Sequence, residues 1–211
     1  MESGVPLSDR YLAALDLAAE LHRHQVRKST KVPYLTHLMS VSAMVWEAGG
    51  DEDAAIAGLL HDAYEDAGGQ STLDRIAARF GGRVAGIVEA CTEPGTGTVP
   101  KGPWRERKEG YLAHLGGCDD RAVLLVAAAD KLHNCRTLLA DIERHGPDVI
   151  SRFNATPDET LWFYREVVRV LIAKLPAEPL AKDLARTLDL LARKLARQPD
   201  SPICSVPESA A

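Results

Sequence analysis

Asp53-Ala-Ala-Ile-Ala-Gly-Leu-Leu-His-Asp-Ala-Tyr-Glu-Asp66 is the stretch of sequence that decides the fold. Its alanine, isoleucine and leucine residues favour a buried helix, and its first aspartate is the predicted N-cap. On such a helix His61 and Glu65 share one face, while Asp62 pairs with the final aspartate on a second face. Three carboxylates near the negative end of a helix dipole are unfavourable unless a cation binds or water solvates them. This conflict with local stability points to function at this end of the helix.

Helical periodicity continues on both sides of that stretch. No alternation of strands with helices suggests a parallel sheet, although residues 84–91 are apolar and fit either a strand or a helix. The sequence therefore predicts an all-α protein, a compact fold of roughly eight to ten helices with an amphipathic helix at its C-terminal end. The other predicted helices include residues 9–21, 104–115, 122–140, 161–175 and 180–195, and one that starts near residue 34 and ends before residues 49–50.

Composition excludes several classes of protein. The chain has 211 residues, enough for one full-sized domain, with a net charge of -5 and a pI near 5.8. An acidic chain is a poor partner for long nucleic acid. No run of about eighteen apolar residues and no secretory signal pattern occur, so we predict a cytoplasmic protein with no membrane partner. The four cysteines are scattered without a Cys-x-x-Cys pair, which argues against a disulfide framework or a thiolate zinc site.

A set of four polar residues predicts a metal site. His37 precedes the His61-Asp62 pair, and Asp130 follows late in a helix whose first half is purely apolar. A buried carboxylate in such a helix must be paired or must bind a cation. Two imidazoles and two carboxylates with no thiolate suit manganese, iron or zinc better than calcium or a structural zinc finger.

The order and spacing of these residues resemble a known family. His37, then His61-Asp62, then Asp130 follow the His, His-Asp, Asp signature of the HD superfamily of metal-dependent phosphohydrolases. Further motifs resemble the hydrolase domain of RelA/SpoT-type proteins and the stand-alone small alarmone hydrolases, over about residues 9–175. These motifs are His22-x-x-Gln25-x-Arg27-Lys28, Pro33-Tyr34-x-x-His37, His61-Asp62-x-x-Glu65-Asp66, Arg107-Lys108 and Ala129-Asp130-Lys131-Leu132-His133-Asn134-x-Arg136.

The resemblance implies a reaction and a catalytic set. A single Mn²⁺, or another divalent transition metal, would be held by the four residues of the signature, and Glu65 and Asp66 would position or deprotonate the attacking water. The reaction implied is hydrolysis of the 3′-diphosphate of guanosine tetra- or pentaphosphate, with release of pyrophosphate. No synthetase domain is expected, because only about thirty-five residues follow residue 175.

The resemblance also implies a small-molecule nucleotide substrate. An arginine can stack on a purine, and a lysine can reach a phosphate. An asparagine one helical turn beyond Asp130 would face the ribose or the base, with a threonine on the same side of the helix as a weaker candidate, and cations beside the loop at residues 93–103 could bind the diphosphate. The predicted substrate contacts are Arg27, Lys28, Asn134, Thr137, Lys101, Arg107 and Lys108.

The predicted domain organisation has three parts. An HD-type hydrolase domain covers residues 9–178, a C-terminal helix covers residues 179–197, and residues 198–211 form a flexible tail. The leucine stripe from Leu180 to Leu195 would pack on the domain or on a second copy of the chain, so a homo-oligomer is compatible with the sequence.

Three alternatives remain open at this point. The same chemistry could act on an adenosine alarmone, or could remove a phosphate from NADPH, because the pocket would be nearly identical. A nucleotide-sensing HD module without turnover is a second alternative, although a sensor needs neither Glu65-Asp66 nor all four predicted ligands. In a third, purely structural alternative, Asp62 and Asp130 would be buried carboxylates paired with lysine or arginine.

Overall fold

The computed structural model describes residues 7–28, 30–94, 102–152 and 155–196, and within them the chain is all-α, as predicted. A 3₁₀ helix spans Pro147–Arg152, and the described residues contain no strand beyond an isolated antiparallel bridge between Val26 and Pro33. In this part of the chain no helix combines the length and apolarity needed to cross a membrane. The helices are α1 (Asp9–Leu21), α2 (Leu35–Glu47), α3 (Glu52–Leu60), α4 (Ala63–Asp66), α5 (Gln70–Phe80), α6 (Gly82–Cys91), α7 (Trp104–Gly117), α8 (Arg121–His145), α9 (Pro157–Lys174) and α10 (Pro179–Ala196).

Helices α2 and α3 form a tight antiparallel pair. A Cβ atom added to Gly58 on α3 would lie 3.0 Å from the Cα atom of Ser42 on α2, so glycine permits the close approach of the two backbones. The hydroxyl of Ser42 donates to the carbonyl oxygen of Ala55 at 2.7 Å across the same contact. Because the two helices are antiparallel, the start of α2 and the end of α3 meet at one end of the pair. His37 and His61 lie at these two termini.

The prediction of one continuous helix that starts with Asp53 as its N-cap and runs to Asp66 is wrong in two respects. Asp51 is the N-cap, since its side chain accepts from the backbone N–H of Ala54 at 2.9 Å. Asp53 instead pairs with Arg10 at 2.6 Å and with Arg83 at 3.3 Å, contacts that join α3 to α1 and α6. Asp51 also pairs with Arg83, at 2.9 Å through its other carboxylate oxygen, so this one side chain both caps the helix and joins it to α6.

The helix also stops at Leu60, so His61 and Asp62 lie in a turn before the four-residue α4. Nδ1 of His61 lies 3.0 Å from the carbonyl oxygen of Gly58. In a continuous helix that carbonyl would accept from the N–H of residue 62, so the side-chain bond competes with the helical one. The apolar segment at residues 84–91, for which the sequence left strand and helix open, is the helix α6.

Helix α8 is the centre of the packing. It contacts α2, α3, α6, α9 and α10, and nine consecutive residues of its first half, 122–130, are buried. Asp120 caps its N-terminus by accepting from the backbone N–H of Ala122 at 2.8 Å, and Gly146 ends it with a φ of 85°. Asp130 is therefore held by a helix that touches most of the core.

Helix α10 packs on α8 and α9 through one apolar face. Leu184 and Leu191 on this face are fully buried, whereas Leu190 on the opposite face is 51% exposed. The C-terminal helix predicted at residues 179–197 thus contacts the rest of the chain. The predicted tail at residues 198–211 lies outside the described residues.

Candidate functional site

The four predicted metal ligands converge from three parts of the fold. Nε2 of His37, near the start of α2, lies 3.2 Å from Oδ1 of Asp130 on α8 and 3.7 Å from Oδ2 of Asp62. Nε2 of His61 lies 3.0 Å from the same oxygen of Asp62 and 3.7 Å from Oδ1 of Asp130. The two imidazoles meet edge to face, with ring centroids 5.2 Å apart. The sequence motif is therefore a compact three-dimensional cluster.

The donor atoms of the cluster fit a divalent cation. The ligand atoms of His37, His61 and Asp62 all lie within 4.8 Å of one another. Nε2 of His61 is buried among the carboxylate oxygens of the cluster, while Nδ1 of the same ring faces the carbonyl oxygen of Gly58. A carbonyl only accepts, so Nδ1 of His61 carries a proton and Nε2 points into the cluster. A lone pair on a buried nitrogen that faces carboxylate oxygens is unfavourable unless a proton or a metal ion lies between them.

The electrostatics of the cluster also favour a cation. Burial opposes the protonation of His61, but Asp62 and Asp130 outweigh it and hold the pKa of His61 well above its usual value, so the carboxylates draw a proton to Nε2 where a bound metal ion would replace it. Burial lowers the pKa of His37. Burial opposes ionisation of Asp130, yet Lys131 and the two imidazoles hold the pKa of this carboxyl well below its usual range. Burial likewise opposes ionisation of Asp62, but His61 outweighs it and lowers the pKa of this carboxyl. Both carboxylates are therefore ionised at neutral pH and can neutralise a bound divalent ion.

A ring of side chains holds the ligands in place. The hydroxyl of Tyr34 donates to Oδ2 of Asp62 at 2.7 Å. On α8, Nζ of Lys131 donates to Oδ2 of Asp130 at 2.5 Å, and Nδ2 of Asn134 donates to Oδ1 of Asp130 at 2.5 Å. Tyr34 and Lys131 were not among the predicted site residues, although each is close in sequence to a predicted ligand, and this proximity was the available signal.

Two further functional candidates were missed by the sequence. His133, which the sequence shows only as part of the motif around Asp130, has its Nδ1 2.8 Å from Nδ1 of His37, and burial together with nearby positive charge lowers its pKa to about 4. Glu93 is buried on the far side of the cavity, and its carboxylate binds both Arg107 and Lys108. No local pattern marks Glu93, because its partners are on α7, beyond residues 95–101.

The two predicted catalytic carboxylates occupy different surroundings. Glu65 lines the cavity, and its Oε1 accepts from the backbone N–H of Glu93 at 2.7 Å. Burial raises the pKa of Glu65 above its ordinary value. Asp66 is not among the residues that line the cavity; its Oδ2 accepts from Nε2 of Gln25 at 2.8 Å, and Oε1 of Gln25 lies 2.5 Å from Nδ1 of His22.

Three of the predicted substrate contacts meet each other. Nη2 of Arg27 donates to Oδ1 of Asn134 at 2.6 Å and to the hydroxyl of Thr137 at 3.3 Å. The same guanidinium lies 5.5 Å from the ring centroid of Tyr34. These contacts tie the segment before α2 to the second half of α8, beside the ligand Asp130.

The remaining predicted substrate contacts are more dispersed. Lys108 lines the cavity with Nζ 2.9 Å from Oε1 of Glu93, and burial lowers its pKa. Arg107 also pairs with Glu93 but is not among the lining residues, and Lys28 is exposed outside the cavity. Lys101 lies outside the described residues.

A small polar cavity of about 150 Å³ connects the cluster with the groups around it. Its lining combines acidic groups with the two cations Lys108 and Lys131, which pair with Glu93 and Asp130, an arrangement suited to a metal ion beside an anionic group. The lining residues include Tyr34, His61, Asp62, Glu65, Glu93, Lys108, Tyr111, Asp130, Lys131, Asn134 and Phe163.

Comparison with known proteins gives similar sequences that are named as hydrolases. The profile of the HD domain family matches residues 14–158. A guanosine-3′,5′-bis(diphosphate) 3′-pyrophosphohydrolase MESH1 of Xenopus tropicalis is 40% identical over 130 residues, which cover 60% of this chain and 68% of the relative. A guanosine-3′,5′-bis(diphosphate) 3′-pyrophosphohydrolase of Aquifex aeolicus is 34% identical over 175 residues, but these cover 81% of this chain and only 21% of the relative.

A solved structure shares the fold. It is described as a metazoan ortholog of SpoT that hydrolyzes ppGpp and plays a role in starvation responses, and it superposes with a TM-score of 0.71 at 25% sequence identity. The superposition covers 91% of this chain and 99% of the other. The match therefore extends over nearly all of the helices described above.

Proposed function

The chain belongs to the HD domain family, and from this premise we propose that it hydrolyses the 3′-diphosphate of guanosine tetra- or pentaphosphate and releases pyrophosphate. The observation that carries the proposal is the convergence of two imidazoles and two carboxylates, with Nε2 of His61 buried between Oδ2 of Asp62 and Oδ1 of Asp130. The relatives named for this reaction include a chain of which 68% is matched here. A phosphohydrolase is therefore the activity that best fits both the site and the family.

His37, His61, Asp62 and Asp130 would hold one divalent cation, for which we propose Mn²⁺. Two nitrogen and two oxygen ligands suit this ion, and the ionised carboxylates supply the negative charge it requires. When bound, such an ion acidifies water and neutralises phosphate charge, the two contributions that hydrolysis of a diphosphate ester needs.

Glu65 is the best-placed group to take a proton from the attacking water. It lines the cavity beside Asp62, and burial raises its pKa toward the range in which a carboxylate exchanges protons efficiently. The backbone N–H of Glu93 fixes one of its oxygens, which orients the carboxylate. For Asp66, the contact with Gln25 supports a positioning role from outside the cavity.

The cations Lys108 and Arg107 would bind the phosphates. Lys108 lines the cavity, and Arg107 pairs with the same carboxylate of Glu93 as Lys108 does. Both cations can therefore break their ion pairs with Glu93 and bind an incoming diphosphate. Arg27, Asn134 and Thr137 would contact the nucleoside, with the guanidinium available to stack on the base. Lys28 and Lys101 stay as predicted phosphate contacts.

Product analysis tests this proposal. The purified chain would be incubated with Mn²⁺ and, separately, with guanosine tetraphosphate, its adenosine counterpart and NADPH. We expect pyrophosphate from guanosine tetraphosphate, and a loss of about 10²-fold or more in kcat for Glu65→Gln, the size expected when a general base is removed. Asp189→Asn, an exposed substitution on α10, is the matched control and should retain the activity of the unaltered chain.

The outcomes separate the alternatives. Pyrophosphate from the adenosine nucleotide alone would keep the chemistry but change the base, and phosphate from NADPH alone would identify a phosphatase. Binding of guanosine tetraphosphate without product, at a full complement of metal, would contradict the hydrolase and favour a nucleotide sensor.

A further inference from the structure

The two histidines of the cluster are held in different ways. Nδ1 of His61 faces a backbone carbonyl oxygen, that of Gly58, at 3.0 Å. Nδ1 of His37 faces a side chain instead, because it lies 2.8 Å from Nδ1 of His133, with the ring centroids 4.8 Å apart. A carbonyl is an obligatory acceptor, whereas an imidazole nitrogen accepts or donates according to its tautomer. The orientation of His61 is thus fixed by the backbone, and that of His37 depends on another titratable side chain.

The short contact between the two Nδ1 atoms allows one proton between them. If Nε2 of His37 presents its lone pair to a cation, the proton of this ring must be on Nδ1, and Nδ1 of His133 must accept it. His133 is then neutral, with its own proton on Nε2. One arrangement of protons therefore pairs the two Nδ1 atoms by a hydrogen bond. It leaves the lone pair of Nε2 of His37, 3.2 Å from Oδ1 of Asp130, for a cation bound by both groups.

The position of His133 on α8 strengthens this link. It follows Asp130 by one helical turn, so a single helix carries both a cluster carboxylate and the group that contacts His37 on α2. The hydroxyl of Thr137 donates to the backbone carbonyl oxygen of His133 at 3.0 Å. Asp130 is buried on the same helix. The rigid first half of α8 therefore sets the distance between this imidazole and the cluster.

We propose that His133 is a positioning residue that fixes the tautomer and ring orientation of His37, so that Nε2 of His37 is available to the metal. This inference rests on the proposed function, since it assigns His37 as a ligand. Partners that accept the second N–H of a metal-binding histidine typically change metal affinity about 10–100-fold when they are removed. His133 does not itself contact the metal or the substrate in this proposal.

The test measures Mn²⁺ affinity of the full-length chain by calorimetric titration after removal of bound metal with EDTA. His133→Phe keeps an aromatic ring but removes the acceptor, and we expect its dissociation constant to rise about 10–100-fold. His133→Asn places a carbonyl oxygen on Cγ, where Nδ1 is bonded in histidine, and should restore most of the lost affinity. His145→Phe, an exposed change at the end of the same helix, is the control and should bind Mn²⁺ as the unaltered chain does.

A purely structural role for His133 gives a different pattern. His133→Phe binding Mn²⁺ as tightly as the unaltered chain would overturn the inference, and so would His133→Asn binding as weakly as His133→Phe. The unaltered chain supplies an independent measurement: side-chain ¹⁵N spectra of its Zn²⁺-loaded form should show the proton of His133 on Nε2, and a proton on Nδ1 would also overturn it. Failure of the proposed function is distinguishable, because product analysis tests the reaction separately, whereas unchanged Mn²⁺ affinity in His37→Ala would overturn the ligand assignment on which this inference rests.

Discussion

The hydroxyl of Tyr34 donates to Oδ2 of Asp62 at 2.7 Å, and that oxygen is the one that lies 3.0 Å from Nε2 of His61. One oxygen of the cluster is therefore oriented by a phenol from the segment just before α2. Tyr34 is also stacked on the ring of His22, with centroids 5.4 Å apart, so its own position is constrained. A group that orients a metal-directed carboxylate should affect metal binding without being a ligand.

We therefore expect Tyr34→Phe to weaken Mn²⁺ binding about tenfold, because the ring remains while the hydrogen bond to Asp62 is lost. Equilibrium titration with Mn²⁺ measures the effect. Tyr11→Phe is a matched control, since it removes a hydroxyl that lies 2.8 Å from Oγ of Ser42, away from the cluster. It should lower the free energy of unfolding by about 1 kcal/mol and leave Mn²⁺ affinity unchanged. Equal Mn²⁺ affinity in both variants would contradict the role of Tyr34.

Metal binding should stabilise the folded chain. At a Mn²⁺ concentration about 100 times the dissociation constant, the free energy of unfolding should rise by about 2.7 kcal/mol, because the unfolded chain does not assemble the site. A thermal melt with EDTA, and then with added Mn²⁺, measures this as a rise in Tm. Asp62→Ala and Asp130→Ala should each abolish the rise and reduce metal content well below about one ion per chain. A full rise in both variants would show that the metal binds elsewhere.

The contact of Gly58 with Ser42 should be intolerant of a larger side chain. Gly58→Ala would place a Cβ atom 3.0 Å from Cα and 3.2 Å from N of Ser42, both backbone atoms that cannot move independently. We expect a loss of about 1–3 kcal/mol in the free energy of unfolding, measured by urea denaturation. Gly86→Ala on α6 is the matched control, since no atom lies within 4 Å of the added Cβ, and it should gain up to about 1 kcal/mol from helix propensity. Similar stabilities of the two variants would contradict the close approach of α2 and α3.

Helix α10 should contribute to the stability of the whole fold. Leu184 is fully buried between α10 and its neighbours, so Leu184→Ala should cost about 2–5 kcal/mol. Leu190→Ala on the exposed face should change the free energy of unfolding by less than about 0.5 kcal/mol. Urea denaturation of both variants checks the difference. A separate, earlier unfolding transition in Leu184→Ala would instead indicate that the helix unfolds independently.

The raised pKa of Glu65 predicts a dependence of stability on pH. A carboxyl whose pKa is higher in the folded chain binds its proton more tightly there, so its ionisation destabilises the fold as pH rises through that pKa. Glu65→Gln should therefore unfold at higher urea concentration than the unaltered chain near pH 7.5 in EDTA. The difference should shrink as the pH falls toward the ordinary pKa of glutamate. A difference that is constant with pH would contradict the burial of this carboxyl.

The sequence by itself determined the helical class and the composition of the metal cluster. Helical periodicity is a local property, so α7 and α8 begin within one residue of their predicted starts. The signature residues carry their chemistry in their side chains, and His37, His61, Asp62 and Asp130 do come together. Their assignment as ligands, like the substrate contacts, stays a prediction until metal binding is measured.

Tertiary structure decided the partners of each charge. Asp53 was predicted to cap a helix, but it pairs with Arg10 and leaves the cap to Asp51, because a contact with α1 is invisible to any local pattern. Only the packing brings Arg27 to Asn134, 107 positions away in the chain. The same holds for the attachment of Arg107 and Lys108 to the buried Glu93, and for the contact between His133 and His37. Periodicity indicates which face of a helix is buried, whereas only the fold determines which polar group of another element lies against a given side chain.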